Sequence, residues 1–310
     1  MPSESQARRR SSRRRVSTTG TASTAPAPPA AQRFRNADPY RAEREWARYE
    51  GTPQRELWRE LRERFLLRHA VFASWALDLG SGPGRFTHGV GSGSTRKVAL
   101  DVSREMLRSA RAHTMPPSEG PPPSDLVRGD GLAPPFPPEA FGEVAVLGNT
   151  LGFAGASADR LRDAATSLVA PGGTLVLEVA PGPGERSRYL ARLPRTSVAR
   201  LLRAPVRALV PRVEREGFDR MPYRKAEEGE FRRFPAMELS HTLLEGGWEV
   251  REIQAVAPAL GALASRIEEI RTDPKAWAHL LQMEEELGRQ PRRWTEAAAV
   301  LMAATKSRGR

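Results

Sequence analysis

Cysteine is absent from the 310-residue chain, which excludes disulfides, cysteine-ligated zinc sites and cysteine nucleophiles. Lysine is scarce, at four residues, although arginine is abundant. No apolar run approaches the roughly 18 to 20 residues that cross a bilayer, so we expect no transmembrane segment. Hydrophobic residues make up 39% of the sequence, which is enough for the core of one large domain.

The net charge of +12 is unevenly distributed along the chain. Residues 1–36 carry eight arginines against one acid, among Ser, Thr, Ala and Pro, and we predict a disordered basic tail. This tail lacks the apolar segment of a secretory signal. Its Arg- and Ser-rich composition is shared by organelle transit peptides and by disordered basic tails, and we favour the tail and a cytoplasmic protein. Residues 181–225 carry eleven arginines and one lysine against four acids. The remainder of the chain is therefore close to neutral or slightly acidic.

Short apolar runs alternate with helical patterns over most of residues 37–310. Residues 37–70 predict two amphipathic helices that are interrupted near Gly51 and Pro53. Five short runs then read as buried strands, at 75–79, 97–102, 126–128, 143–148 and 174–179, with Ser103 as a helix cap and a helix over 158–168. A Pro- and Arg-rich insert over 181–235 precedes a helix at 235–245, a strand at 248–256, a helical region at 260–287 and an apolar run at 297–304. Such alternation predicts a parallel sheet covered by helices on both faces.

A glycine-rich segment follows the first predicted strand, in Asp78-Leu-Gly80-Ser-Gly82-Pro-Gly84. A strand that ends in glycines and opens a helix brings backbone N–H groups close to a ligand. The dinucleotide pattern Gly-x-Gly-x-x-Gly would require a third glycine where Arg85 stands. The loop is instead Gly-x-Gly-x-Gly, preceded by an acid.

Acids also follow the next two predicted strands. Asp101 ends the second strand, where a carboxylate can accept hydrogen bonds from both hydroxyls of a ribose. Asp130 follows the third strand and could accept from an exocyclic adenine amine. Because parallel strands present their carboxyl ends at one crevice, we expect Asp78, Asp101 and Asp130 to face a shared ligand. A ligand with a cationic amine, a ribose and an adenine suits them, whereas a pyrophosphate does not.

These segments resemble the class I S-adenosylmethionine-dependent methyltransferases. The resemblance is strongest over 76–87, 98–107 and 129–131, with Pro171-Gly-Gly173 before the fifth strand as a further mark of the family. It implies a Rossmann-like three-layer α/β/α sandwich. The sheet would have seven strands, mostly parallel, with the last strand, near 297–304, antiparallel.

The resemblance also implies a role for the glycine loop and two acids. Gly80, Gly82 and Gly84 would wrap the methionine and ribose parts of S-adenosylmethionine. Asp78 would lie near the amino group of the methionine, through water. Asp101 would hold the ribose hydroxyls.

Four further residues would complete the cofactor site. Asp130 would accept from the adenine amine, and Gly131 would offer a backbone N–H to the ring. Met106 would pack on the adenine, and Gly148 would offer its carbonyl to the methionine amine. Asp78 or Asp130 could instead cap local structure, and a buried Met106 could be ordinary core.

The acceptor is less well indicated. The fourth strand leads into Gly148-Asn149-Thr150 and lacks the Pro-Pro-Tyr of family members that methylate base amines. Asn149 and Thr150 are closer to members that act on small molecules, and Asn149 could equally satisfy a loop. Tyr40 and Tyr49 stand where such members fold a helical lid, over 37–70. Further candidates for the acceptor pocket are Tyr189, Tyr223, Arg224 and His241. The spacing of the histidines and acids predicts no metal site.

Three functions remain open at this level. We favour methyl transfer to a small molecule, and a basic lid in the insert would suit an anionic acceptor. The alternatives are methylation of tRNA or rRNA through the basic tail and insert, and a catalytically silent module that binds the cofactor for a partner. The basic stretch over 195–216 has no aromatic residues, whereas nucleic-acid-binding surfaces usually combine basic and aromatic side chains.

Overall fold

The computed structural model describes residues 39–114, 124–181, 232–294, 297 and 299–308, with side chains from Ala42 onward. The predicted basic tail over 1–36 lies outside these residues. So does nearly all of the predicted insert over 181–235. Residues 37–70, proposed as a lid from the sequence, are described from Pro39.

Seven strands form one sheet in the order β3-β2-β1-β4-β5-β7-β6. They are β1 (Trp75–Leu79), β2 (Arg96–Asp101), β3 (Asp125–Arg128), β4 (Phe141–Val146), β5 (Val169–Val179), β6 (Trp248–Ala255) and β7 (Val300–Lys306). β1 to β5 pair in parallel, and β7 runs antiparallel between β5 and β6. The predicted seven-stranded sheet with an antiparallel last strand is therefore confirmed. The chain order reverses between β1 and β4, which is where sheets of this kind bind ligands.

Helices cover both faces of the sheet. They are α1 (Pro39–Trp46), α2 (Pro53–His69), α3 (Arg104–Thr114), α4 (Thr150–Phe153), α5 (Ala158–Leu168), α6 (Ala236–Glu245), α7 (Leu260–Leu263), α8 (Ile267–Thr272) and α9 (Pro274–Gly288). α2 and α7 to α9 bury one core cluster against the sheet, including Leu61 and Leu280. α5 and α6 bury a second cluster on the opposite face, including Leu161 and Leu243. The three-layer α/β/α prediction is confirmed.

Local sequence signals explain where several helices begin. The Thr52 side chain accepts from the backbone N–H of Arg55, and Pro53 occupies the first turn of α2. Asp273 caps α9 in the same way, ahead of Pro274. This proline and its capping residue end α8 and start α9, so the predicted helical region over 260–287 is divided into shorter helices.

In dinucleotide-binding folds a glycine loop opens a helix, but no helix follows the loop here. Residues 80–95 form successive turns instead. Gly89, Gly91 and Gly93 are poor helix formers. Gly91 has a φ of +56°, and an added Cβ there would collide with the Ala76 side chain. The turns therefore depend on glycine, and no helix N-terminus is directed at the ligand crevice from this segment.

The fifth strand begins earlier than the sequence indicates. Pro171-Gly-Gly173 lies inside β5 rather than before it, because β5 starts at Val169. The pairing with β4 shifts register between Phe141 and Glu143, opposite this segment. A bulge of this kind accommodates proline and glycine without ending the strand.

Candidate cofactor and acceptor site

A cavity of about 600 Å³ opens at the carboxyl ends of β1, β2 and β3. Its volume lies in the range of roughly 300–1,000 Å³ that is typical of small-molecule sites. Eight of the residues predicted to bind the cofactor lie in its wall, namely Asp78, Gly80, Gly82, Asp101, Met106, Asp130, Gly131 and Gly148. Gly84 is not among the lining residues.

Asp78 lies in the wall of this cavity and is almost fully buried. The Thr87 hydroxyl donates a 2.6 Å hydrogen bond to its Oδ2. Burial raises the pKa of Asp78 to about 7, although the Thr87 hydrogen bond opposes the shift. The carboxyl group therefore titrates near neutral pH, where a nearby cation would favour its ionised form.

Asp101 connects the glycine loop to the start of α3. Its Oδ2 accepts from the backbone N–H of Gly82 at 2.8 Å, and its Oδ1 accepts from the N–H of Ser103 at 2.8 Å. Burial raises the pKa of Asp101, and these backbone N–H groups act in the opposite direction. The Ser103 side chain in turn accepts from the N–H of Met106, which confirms the predicted helix cap.

Asp130 and Gly131 form the wall beyond β3. The Asp130 carboxylate accepts from the N–H of Leu132 at 2.9 Å, so it also shapes the local turn. An added Cβ on Gly131 would lie 3.0 Å from a methyl group of Leu161. The main chain therefore approaches α5 closely here, and a larger residue would force the wall to move.

The turn between β4 and α4 packs directly on the glycine loop. Gly80 has a φ of +77°, and a Cβ there would overlap the Thr150 methyl group. The Thr150 hydroxyl donates a 2.6 Å hydrogen bond to the carbonyl of Leu147. Thr150 thus lines the cavity, but its hydroxyl is already engaged within its own turn.

Gly148 and Asn149 both adopt left-handed backbone conformations, with φ values of +64° and +61°. Gly148 lines the cavity, and its N–H donates to Glu178 at 3.1 Å. Asn149 is buried and is not among the lining residues. Its Oδ1 has no hydrogen-bond partner among the described residues.

The N-terminal helical segment supplies another part of the wall. Glu45, at the end of α1, and Arg48 and Tyr49, in the 3₁₀ turn that follows, line the same cavity. The Tyr49 ring meets Phe86 edge to face, with ring centroids 4.9 Å apart. Burial raises the pKa of Tyr49, so its phenol is neutral at physiological pH. The backbone of Tyr40 lies in α1, but its side chain is outside the described part.

Of the remaining acceptor candidates, only His241 lies among the described residues. His241 is exposed on α6, 3.4 Å from Glu245, and does not line the cavity. Tyr189, Tyr223 and Arg224 lie outside the described residues. Within the described ranges, no group of three or more histidines and acids is placed to hold a metal ion.

Sequence reasoning missed a buried ion pair beside the cavity. Arg62 of α2 binds Glu178 of β5 through two hydrogen bonds, Nε to Oε2 at 2.9 Å and Nη2 to Oε1 at 2.7 Å. The signal was present in the apolar run over 174–179, because a glutamate inside a buried strand requires a partner. The position of that partner, 116 residues away, could not be read from the run.

Comparison with known proteins bears on the same region. The sequence model of a methyltransferase domain family matches residues 76–173. That segment contains the glycine loop, Asp101, Asp130 and the turn after β4. A search of curated protein sequences found no match. No helix within the described residues is long and apolar enough to cross a membrane.

Many solved structures share this fold. One is a chain in the complex between the Haloferax volcanii Trm112 methyltransferase activator and its methyltransferase partner. The two chains are 17% identical, the match covers 91% of this chain and 99% of that chain, and the TM-score is 0.52. A Thermotoga maritima S-adenosylmethionine-dependent methyltransferase, described as a possible histamine N-methyltransferase, has 16% identity, coverage of 90% and 99%, and a TM-score of 0.48. A Clostridium acetobutylicum S-adenosylmethionine-dependent methyltransferase has 11% identity, coverage of 87% and 100%, and a TM-score of 0.48. The family match identifies residues 76–173 as a methyltransferase domain, and the Haloferax volcanii chain shares its fold. These findings support the expected class I S-adenosylmethionine-dependent methyltransferase, with S-adenosylmethionine as its cofactor.

Proposed function

We propose that this methyltransferase acts on a small-molecule acceptor, held between the cofactor and the N-terminal helical segment. One observation carries the proposal. Glu45, Arg48 and Tyr49 line the same cavity as the acids at the ends of β1, β2 and β3. An acceptor held there would share this space of about 600 Å³ with the cofactor, which favours a compact molecule.

The residues in the wall suit the cofactor. Glu45, Asp78, Asp101 and Asp130 face the cavity, against Arg48 and Arg85. An excess of acids favours a cationic ligand. In this assignment Asp101 holds the ribose hydroxyls, and Asp78 lies toward the amino group of the methionine.

The other end of the cofactor fits the wall beyond β3. Asp130 would accept from the adenine amine, with Gly131 donating a backbone N–H and Met106 packing on the ring. Gly148 would offer its carbonyl to the methionine amine. Gly84, which does not line the cavity, would act only by shaping the loop, since its N–H donates to the Ser81 carbonyl at 3.0 Å.

The chemistry requires little acid–base assistance from the chain. When bound, S-adenosylmethionine supplies a methyl group that is activated by its positively charged sulfur. The protein's contribution is to align the acceptor and to exclude water. Tyr49, with its raised pKa, can donate a hydrogen bond to an acceptor but is not a base at neutral pH. A general base is required only if the acceptor atom carries a proton at working pH.

The turn after β4 gives no support to base-amine methylation. Asn149 does not line the cavity, and the sequence after it lacks Pro-Pro-Tyr. Thr150 lines the cavity, but its hydroxyl donates to Leu147. A small acceptor contacting Tyr49 and the methyl group of Thr150 is consistent with both observations.

Calorimetry with S-adenosylmethionine tests the assigned cofactor site. Asp101→Ala removes the carboxylate that organises Gly82 and Ser103, so we expect affinity to fall by roughly tenfold to 100-fold. Asp125→Ala is the matched control, because Asp125 is an exposed acid at the opposite end of the neighbouring β3. Equal affinities for the two variants would refute the site.

A turnover screen tests the acceptor class. Purified full-length enzyme is incubated with S-adenosylmethionine and either a small-metabolite fraction or total RNA, and S-adenosylhomocysteine and methylated products are measured by mass spectrometry. We expect turnover with the metabolite fraction that survives ribonuclease treatment. Methylation of RNA alone would replace the small-molecule proposal with the RNA function, and cofactor binding without turnover in either pool would favour a silent module.

A further inference from the structure

The buried pair Arg62–Glu178 contacts two residues that line the cavity, Gly148 and Tyr49. Arg62 lies on α2, and Glu178 lies near the end of β5, with exposed fractions of 5% and 0%. Glu178 also accepts the backbone N–H of Gly148 at 3.1 Å. The Arg62 guanidinium stacks over the Tyr49 ring, 5.2 Å from its centroid. One ion pair therefore contacts the turn between β4 and α4 through Gly148, and the N-terminal segment through Tyr49.

The hydrogen bonds of this pair are well satisfied. Glu178 accepts from Arg62 through both oxygens, and its Oε2 also accepts from Gly148. Arg62 donates in addition to the Trp58 carbonyl at 2.9 Å, within its own helix. Burial alone would raise the pKa of Glu178, but the Arg62 charge lowers it, so the carboxylate is ionised. Replacement of such a pair by apolar residues is often neutral for stability, so the pair can be removed as a unit to test whether it has another role.

The turn that the pair supports is conformationally demanding. Gly148 and Asn149 are two consecutive residues with positive φ, a backbone conformation that few residues other than glycine and asparagine adopt readily. Thr150 donates to the Leu147 carbonyl inside the turn, whereas the bond from Gly148 to Glu178 reaches outside it. That bond fixes the edge of the cavity to β5.

We infer that Arg62 and Glu178 are positioning residues that hold Gly148 and Tyr49 at a fixed separation in the wall of the cavity. The pair thereby couples the N-terminal segment to binding of the methionine part of the cofactor. This inference rests on the cofactor site proposed above, in which Gly148 contacts the methionine amine. It assigns to α2 a function in binding, although Arg62 itself does not line the cavity.

Two double variants separate the roles of the pair, because a single change would leave a buried charge unpaired. Arg62→Met with Glu178→Met removes the ion pair and the acceptor for the Gly148 N–H. Arg62→Met with Glu178→Gln removes the ion pair but leaves an amide oxygen that can accept from Gly148. Arg64→Met is the matched control, since Arg64 also lies on α2 but pairs with Glu285 of α9. Thermal unfolding without ligand establishes that each variant is folded.

The readout is affinity for two ligands, measured by calorimetry on the full chain. S-adenosylmethionine carries the methionine part, and 5′-methylthioadenosine lacks its amino-acid portion. For the Met/Met variant we expect roughly tenfold weaker binding of S-adenosylmethionine, with binding of methylthioadenosine unchanged within about twofold. The Met/Gln variant should show a smaller loss, and Arg64→Met should show none.

Two results would overturn the inference. Equal loss of both ligands would mean that the pair has only a general structural role. Unchanged affinity in the Met/Met variant would mean that the pair does not position the turn. If Asp101→Ala also bound S-adenosylmethionine normally, the cofactor site itself would be wrong, so the two failures are distinguishable.

Discussion

The Thr87 hydroxyl donates a 2.6 Å hydrogen bond to the buried carboxylate of Asp78, in the wall of the 600 Å³ cavity. Burial nevertheless raises the pKa of Asp78 to about 7, and the negative charge of Asp101 acts in the same direction. The site therefore contains a carboxyl group that is partly protonated at neutral pH. Its charge responds to any cation that enters.

Affinity for S-adenosylmethionine should consequently depend on pH. A cationic ligand favours ionised Asp78, so we expect binding to tighten by up to roughly tenfold between pH 6 and pH 8, with release of a proton. Asp78→Asn should remove this part of the pH dependence. Thr87→Val removes the hydrogen-bond donor that lowers the pKa of Asp78, so the rise in affinity should occur at higher pH. Calorimetry in buffers of different ionisation enthalpy measures the affinity and the number of protons released. Identical pH profiles of affinity for wild type and Asp78→Asn would contradict the prediction.

The two glycines at the start of the loop should tolerate alanine differently. Gly82 has a φ of +55° with no atom within 4 Å of an added Cβ, so Gly82→Ala should cost only the left-handed strain, roughly 1–2 kcal/mol. Gly80→Ala adds an overlap with the Thr150 methyl group and should cost roughly 1–3 kcal/mol more. Thr150→Ser removes that methyl, so it should recover part of the loss in the Gly80→Ala background. Urea unfolding gives the free energy of unfolding of each variant. Equal losses of stability for the two alanine variants would disprove the steric explanation.

Much of the fold could be predicted because parallel strands buried on both faces leave continuous apolar runs. The run over 75–79 coincides with β1. Asp101, at the end of the neighbouring strand β2, lies in the cavity wall as expected. The turns over 80–95 could not be foreseen in the same way. Their glycines are visible, but the close approach of Gly91 to Ala76 is a tertiary contact.

The contacts between the N-terminal segment and the rest of the site could not be predicted from the sequence either, because each joins residues that are far apart in the chain. Arg62 reads locally as one arginine of a charged helix, and Glu178 as an irregularity in a strand. Their bonding depends on the packing of α2 against β5, which no local pattern specifies. The same holds for Trp46 and His113, whose rings stack with centroids 3.8 Å apart.

That stack predicts how the N-terminal helix is held. Trp46 contacts the His113 ring of α3, and the Arg85 guanidinium lies 4.5 Å from the Trp46 centroid. Trp46→Ala should release α1 and speed its amide hydrogen exchange by roughly tenfold, since stacking and cation–π contacts contribute about 1 kcal/mol each. Trp46→Phe preserves a stacking ring and should exchange at close to the wild-type rate. Unchanged exchange in α1 of the alanine variant would show that other contacts hold the helix.

A second buried carboxyl group, Glu284, should contribute to the pH dependence of stability. Glu284 of α9 is fully buried, and its Oε2 accepts from the N–H of Ala259 at 2.8 Å. Its Oε1 has no hydrogen-bond partner among the described residues. Burial raises the pKa of Glu284 to about 8, so the folded protein keeps a proton that the unfolded chain loses above its ordinary pKa of 4.5.

The sign of the effect follows from this difference in bound protons. Stability from Glu284 is fully present below about pH 4.5, declines as the pH rises toward 8 and is constant above it. Glu284→Gln stays neutral and can still accept from Ala259, so it should match wild type near pH 5 and be more stable at pH 8, by on the order of 1 kcal/mol or more.

Glu252→Gln is the contrasting variant. Partial burial would raise the pKa of Glu252, but hydrogen bonds from His69, Arg68 and Arg289 lower it to about 2, so this variant should be less stable than wild type at pH 8. Urea unfolding at both pH values decides the matter, and a Glu284→Gln variant that loses stability at pH 8 would mean that Glu284 is ionised and paired in the folded protein.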